Sequence, residues 1–240
     1  MISPYGLEIV ESCMSCKLRA DRMFCGLSGP VLEAFERIKH TTVYPEGAEL
    51  FVERQEPRGI FVICKGSVKL SASSSNGKTM IVKIARAGEV LGLSATVSGR
   101  PYEVTAITLD PCQISFVKRD DFLKLLKNDV QVCFKVAEQL SEKYYVVCKE
   151  VRSLGLSHSA AEKLAELLLQ WSSDNEGFSK AEQRVRLKLT HEEIGQMIGT
   201  SRETVTRLFS DLKKHQIVNI HGSTLVIRDV AALREMASCN

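Results

Sequence analysis

Apolar and polar positions change their texture along the chain. In "SGPVLEAFERI", Val31, Leu32, Phe35 and Ile38 form one stripe behind Pro30, which predicts a short amphipathic helix. From Thr41 to Lys118 the pattern turns to short β-type runs punctuated by glycine: "ELFVE", "GIFVICKGSVKLSA", "KTMIVKIA", "EVTAITL" and "CQISFV". Asn76-Gly77 is a hairpin signal between two of them. Glu46-Gly47, Lys65-Gly66 and Ala87-Gly88 mark further turns. Many short strands at close spacing predict a closed β-barrel or roll.

Asp120 and Asp121 then open a long helix. Cys133, Ala137, Leu140, Tyr144, Val147, Val151 and Leu154 recur at alternating steps of four and three, a seam sustained for about three heptads. One amphipathic helix could simply pack on its own barrel. A seam this narrow, flanked by Glu142, Lys143, Lys149 and Glu150, points instead to a partner helix. Ala137, Leu140, Tyr144, Val147, Val151 and Leu154 are the expected homodimer contacts. "SLGLSHSAAEKL" reads as a hinge, helix follows through Trp171, and "SSDNEGFSKAEQ" reads as a polar loop. "RVRLKL" alternates as a strand, two short helices follow, and "IVNIHGSTLVIRD" forms a hairpin turning at His221-Gly222-Ser223.

The two short helices carry the most specific pattern, "LTHEEIGQMIGTSRETVTRLFSDLKKHQIV". Thr190 and Glu193 make a capping box for the first helix, and Ile194, Met197 and Ile198 give it an apolar face. Gly199 supplies the tight turn, and Thr200 or Ser201 caps the second helix. There Val205, Leu208, Phe209 and Leu212 face inward, while Arg202, Glu203, Thr206 and Arg207 project together near the N-terminal end. A helix-turn-helix puts that end into the DNA major groove. Arg can donate two hydrogen bonds to guanine and Glu can accept from cytosine. The following hairpin would be a wing, with Lys213 and Lys214 placed for phosphates.

Composition narrows the picture. The chain has 240 residues, 44% hydrophobic, so two ordinary domains with buried cores are expected. A net charge of only +3 announces neither nucleic acid nor membrane by itself. Pro4, Gly6 and Glu8 break the N-terminal stretch as a signal peptide, and no apolar run reaches membrane-spanning length. A cytoplasmic protein is expected. Its eight cysteines then call for metal, redox sensing or burial, because that compartment keeps thiols reduced. No phosphate-binding loop, dinucleotide fingerprint, metalloprotease motif or nucleophile elbow is present, so an enzyme is not expected.

The glycine-punctuated roll, the long dimer helix and "IGQMIGTSRETVTRLFSDLK" resemble the cyclic-AMP receptor protein/FNR family of bacterial transcription regulators. The resemblance spans nearly the whole chain. It implies an α+β fold: an N-terminal cysteine-rich segment (1–28), a sensory β-roll of the cyclic-nucleotide-binding, jelly-roll type (29–119), a dimerisation helix (120–154) and a C-terminal winged helix-turn-helix (155–240). By position, Arg202, Glu203 and Arg207 match base-contacting residues of the cyclic-AMP receptor branch. The FNR branch has a small apolar residue at the place of Arg202 and Ser at that of Thr206. The resemblance therefore implies double-stranded DNA with TGTGA-like half-sites in an inverted repeat, and RNA polymerase as a partner if the protein activates.

Cyclic-AMP-binding members carry a Gly-Glu pair and an Arg-Ser pair around the phosphate. Here Gly88-Glu89 lies early, Tyr102-Glu103 stands where the Arg-Ser pair would be, and Arg100 is the nearby cation. Glu103 would repel a phosphate, so a cyclic nucleotide is not the expected ligand. The FNR branch holds a [4Fe–4S] cluster on three N-terminal cysteines and one in the roll. Cys13, Cys16 and Cys25 follow a Cys-x2-Cys-x8-Cys spacing, and Cys112 in "LDPCQISFV" resembles the fourth ligand, with Cys64 as the alternative. Four thiolates suit such a cluster. Oxygen or nitric oxide would then attack it and relax the dimer. The same sulfurs could hold structural zinc or form a thiol switch, and the roll could bind another small effector. Cys133 falls on the helix seam, Cys148 lies beside it and Cys239 is in the tail; the five histidines form no obvious ligand set, and His191 and His221 are expected to meet solvent or phosphate.

Overall fold

The computed structural model describes residues 5–7, 9–10, 12–14, 16, 23–27, 29–155, 159–173 and 183–238. It divides into two compact units, Met1–Cys148 and Lys149–Asn240.

The first unit opens with α1 (Gly29–Ile38) and continues through β1 (Lys39–Tyr44), β2 (Glu49–Phe51), β3 (Gly59–Lys65), β4 (Ser67–Ser73), β5 (Thr79–Arg86), β6 (Val90–Leu91), α2 (Leu93–Ser98), β7 (Thr105–Thr108) and β8 (Cys112–Lys118). The strands form two four-stranded sheets, ordered β1-β8-β3-β6 and β2-β7-β4-β5. Strand alternation sends side chains to opposite faces, and the sheets use both. Leu50, Phe51, Phe61, Ile63, Val68, Ala106, Cys112 and Ile114 fill the roll between the sheets. Ile60, Val62, Val90 and Val117 point the other way, onto Leu32 and Phe35 of α1 and onto Phe24 and Cys13 of the N-terminal segment. Ring pairs knit that outer core: Phe24 stacks on Phe35 at 5.1 Å and meets Phe122 edge-on at 5.8 Å.

The long helix expected from Asp120 is two helices, α3 (Arg119–Asn128) and α4 (Val130–Gly155). Asp129 makes the break in extended conformation (φ −136°, ψ 111°). Its N–H bonds the Leu125 carbonyl at 3.0 Å, and its carboxylate accepts from Val132 N–H at 3.0 Å. A short polar side chain that satisfies helix-end groups competes with helix continuation, and the unbroken apolar spacing hid this. The short α2 and the first residues of β1 were not anticipated either.

The second unit contains α5 (Ala160–Ser173), β9 (Gln183–Arg186), α6 (His191–Ile198), α7 (Arg202–Lys214), β10 (Val218–His221), β11 (Thr224–Ile227) and α8 (Val230–Ser238). Its sheet is ordered β10-β11-β9, and the hairpin turns after His221 as expected. Leu164, Leu168, Ile194, Val205, Leu225 and Leu233 are among its most deeply buried side chains. α8 was not foreseen. The expected hinge falls partly, at 156–158, and the expected polar loop mostly, at 174–182, outside the described residues.

Candidate functional site

Local chemistry sets the α6–turn–α7 geometry. The Thr190 side chain accepts from Glu193 N–H and the Glu193 carboxylate accepts from Thr190 N–H, a complete capping box. Gly199 ends α6 in the left-handed region at φ 71°, which suits a residue without Cβ. Gly195 is needed for a different reason: a Cβ there would stand 2.7 Å from the Thr200 carbonyl oxygen, so only glycine lets the turn fold back on α6. Ser201 caps α7 by accepting from Thr204 N–H. Val205, Phe209 and Leu212 then anchor α7 inward, each such burial stabilising by roughly 1.5–3 kcal/mol.

The opposite face is polar and open. Arg202, Glu203, Thr206 and Arg207 are all exposed, with Lys213 and Lys214 at the far end. A hydrogen bond to its own N–H, then one from Ser201, and the neighbouring Arg202 hold the Glu203 carboxyl below its usual range. His191, at the start of α6, stacks on Phe209 at 5.1 Å and bonds Thr206 Oγ1 through Nδ1 at 2.9 Å. Burial first, then the charges of Lys213 and Arg202, push its pKa below 6.5.

Tyr102 occupies the roll interior. Its ring stacks on Phe51 at 4.1 Å. Its hydroxyl donates to the Gly59 carbonyl at 3.0 Å and accepts from Arg58 N–H at 3.1 Å. Burial pushes the phenol's pKa up. Glu103 and Arg100 are exposed, and Glu89 pairs with Lys83 while accepting from Arg86 N–H at 2.8 Å.

Residues 41–129 match the cyclic nucleotide-binding domain, and residues 162–236 match the Crp-like helix-turn-helix domain. The chain belongs to the CRP/FNR family of transcription regulators. It is similar to the cAMP-activated global transcriptional regulator CRP of Haemophilus influenzae, 26% identical over 199 residues that cover 82% of this chain and 88% of that protein. It shares its fold with FixK2 from Bradyrhizobium japonicum (TM-score 0.74, 22% identity, 85% of this chain and 99% of that one). It also shares it with the c-di-GMP responsive regulator CLP of Xanthomonas campestris (TM-score 0.73, 19% identity, 84% and 100%). Regulators of this family bind DNA through the helix-turn-helix, typically as dimers, and are not enzymes. No helix among the described residues is long and apolar enough to cross a membrane.

The FNR-type cluster can be tested against the sulfurs. Cys13 and Cys25 are both buried and come into hydrogen-bonding contact. Cys16 N–H bonds the Cys13 carbonyl at 3.4 Å, closing the tight turn that the two-residue gap allows. Lys39 Nζ donates to Cys13 Sγ at 2.9 Å and pairs with Glu36 at 3.5 Å, and its side chain is 8% exposed. The Cys25 hydrogen bond brings the Cys13 thiol down to about 6; burial opposes this, Lys39 assists, and Glu36 works against it. Burial disfavours the Lys39 ammonium, but Cys13, Glu36 and Cys64 more than offset that and raise its pKa.

Cys112 lies elsewhere. Its sulfur is fully buried inside the roll and donates to the carbonyls of Ser67 at 3.3 Å and Asp110 at 3.1 Å. Its neighbours Gln113 and Ser115 take the other face of β8, where Gln113 holds Val10 and Ser115 meets Thr41 and Cys64. Lys39 pairs with Val117 and Tyr44 with Cys112, so the two ends of that ladder stand ~16 Å apart at about 3.3 Å per residue. A cage on Cys13, Cys16, Cys25 and Cys112 does not fit this arrangement. The roll cysteine that shares the face of Cys13 is Cys64, half-buried and 3.3 Å from Ser115 Oγ. Among the described residues, no three His, Cys, Asp or Glu side chains converge as a metal site requires.

α4 presents two apolar faces. Val132 and Val136 are buried against the roll, with Leu140 packed beside them. Ala137, Tyr144 and Val147 are exposed, as are Val130, Phe134 and Tyr145. The side chains of Val151 and Leu154 lie outside those described. Cys133, on the same seam, is exposed as well. Sequence reasoning overlooked two anchors. Lys39, one turn past Glu36, carried a legible i,i+3 signal. Lys143, read as a flanking charge, stays exposed and donates to the Val90 carbonyl at 3.2 Å.

Proposed function

We propose that the protein is a homodimeric operator-binding regulator with a redox-responsive N-terminal segment. In this reading Arg202, Glu203, Thr206 and Arg207 read TGTGA-like half-sites of an inverted repeat, and Lys213 and Lys214 meet phosphates. The observation that carries it is the joint exposure of those four side chains at the capped N-terminal end of α7. Arg202 and Arg207 suit guanine, and Glu203 suits cytosine. RNA polymerase is the further partner if the bound protein activates. The exposed stripe Ala137, Tyr144 and Val147, continued by Val151 and Leu154, is the dimer face. In-vitro selection of DNA sites tests the DNA reading. TGTGA-like half-sites are expected, and recovery of TTGAT with tolerance of Arg202→Val overturns that specificity.

For the sensory unit, oxygen, nitric oxide or cellular redox state is the proposed signal, received by Cys13, Cys16 and Cys25. The contact of Cys13 with Cys25 and Lys39 supports this, because an adjacent cation favours thiolate, the reactive form of cysteine. The resemblance implies a [4Fe–4S] cluster, and the donor set with Cys112 does not fit it, so the redox reading rests on the thiols. Iron, zinc and acid-labile sulfide contents of protein purified without oxygen decide the matter. Absence of all three supports a thiol switch. Iron with matching sulfide shows that the segment rearranges to hold a cluster, and one zinc per chain shows a structural site.

A further inference from the structure

The hydroxyl of Thr206 is already engaged within the DNA-binding unit. Thr206 Oγ1 donates to the Arg202 carbonyl at 2.9 Å, one helical turn back. A hydroxyl has one proton, so the 2.9 Å contact with His191 requires the histidine to donate from Nδ1. The His191 ring is held for this by its stack on Phe209, at 5.1 Å and 17° between planes. His191 is also positioned at the first residue of α6, behind the Thr190–Glu193 capping box. The oxygen thus gives its proton to one neighbour and accepts from another. Thr206 itself is exposed on the face that carries Arg202, Glu203 and Arg207.

A threonine offers DNA either a hydroxyl or a methyl group. Here the hydroxyl is tied down from two sides, and the γ-methyl is the group left to meet a base edge. Apolar contact by a threonine methyl suits the 5-methyl group of thymine, the one apolar mark in the major groove. Arginine and glutamate beside it cover guanine and cytosine, so a methyl reader supplies the base class they cannot. We infer that Thr206 is a specificity-determining residue that recognises a thymine in each half-site through its methyl group, with His191 holding the side chain in that orientation. This rests on the reading of α7 as the recognition helix.

The test replaces each thymine of the selected operator by deoxyuridine, which removes only the 5-methyl group. Dissociation constants are measured for the full-length wild type, Thr206→Ser and Thr206→Val. At one thymine per half-site, uracil should weaken the wild type about fourfold, the size expected for one methyl leaving apolar contact. Thr206→Ser keeps both hydrogen bonds and lacks the methyl, so it should bind thymine and uracil operators alike. Thr206→Val keeps the methyl, so it should retain the preference even if its overall affinity falls. Indifference of the wild type to uracil at every position overturns the inference, as does a preference kept by Ser and lost by Val. If selection returns no operator, the DNA-binding reading itself has failed, which is a separate result.

Discussion

Lys39 Nζ stands 2.9 Å from Cys13 Sγ, with its side chain almost wholly shielded from solvent. The ammonium follows α1 directly, so the cysteine segment is tied to β1, the edge strand of the β1-β8-β3-β6 sheet. Lys39→Met should lower the stability of the first unit by about 1–3 kcal/mol, because charged partners lose their hydrogen bonds. The loss should shrink in a Cys13→Ala background. Urea unfolding of the four proteins measures the coupling, and fully additive effects would refute the contact.

The proposed dimer face makes a separate prediction. Tyr144 and Val147 are 73% and 53% exposed in the single chain. Tyr144→Glu with Val147→Glu should convert a dimer to monomer in sedimentation equilibrium while leaving the melting of the roll intact. An unchanged dimer would move the interface to another surface.

Cap and turn residues of the helix-turn-helix should matter without touching DNA. Thr190→Ala should cost the second unit about 1 kcal/mol. Gly195→Ala should cost more, since its Cβ would meet the Thr200 carbonyl at 2.7 Å. Thermal unfolding ranks the two, and an equal or reversed order would contradict the close approach.

His191 gives a pH dependence with a definite sign. Burial, then Lys213 and Arg202, lower its pKa below 6.5 in the folded unit. The unfolded chain therefore binds this proton more readily, and stability falls as pH drops through 6.5. The loss ends once pH is below the folded value. His191→Gln should flatten this part of the stability profile, and a variant with the wild-type slope would exclude the histidine as its source.

Much of this architecture was legible because local signals agreed with tertiary packing. Asn76-Gly77, Gly199 and the Thr190–Glu193 box each act within a few residues, and each formed as expected. The helix break at Asp129 was not legible. An apolar repeat continues across it, and only the paired use of its carboxylate and N–H shows where one helix stops. The cysteines divide the same way. The tight turn from Cys13 to Cys16 follows from spacing. The direction of Cys112 depends on strand register, where a shift of one residue exchanges the faces. Thr206 was recognisable as an outward residue, but its hydroxyl's engagement with His191 joins positions fifteen residues apart.

Asp129 closes α3 with its backbone and starts α4 with its side chain. One residue thus serves two elements that would otherwise vary independently across related proteins. A substitution there frays both ends together, so natural sequence drift at this position should be narrow. The evolutionary freedom of the roll and that of α4 should therefore be joined at this single aspartate.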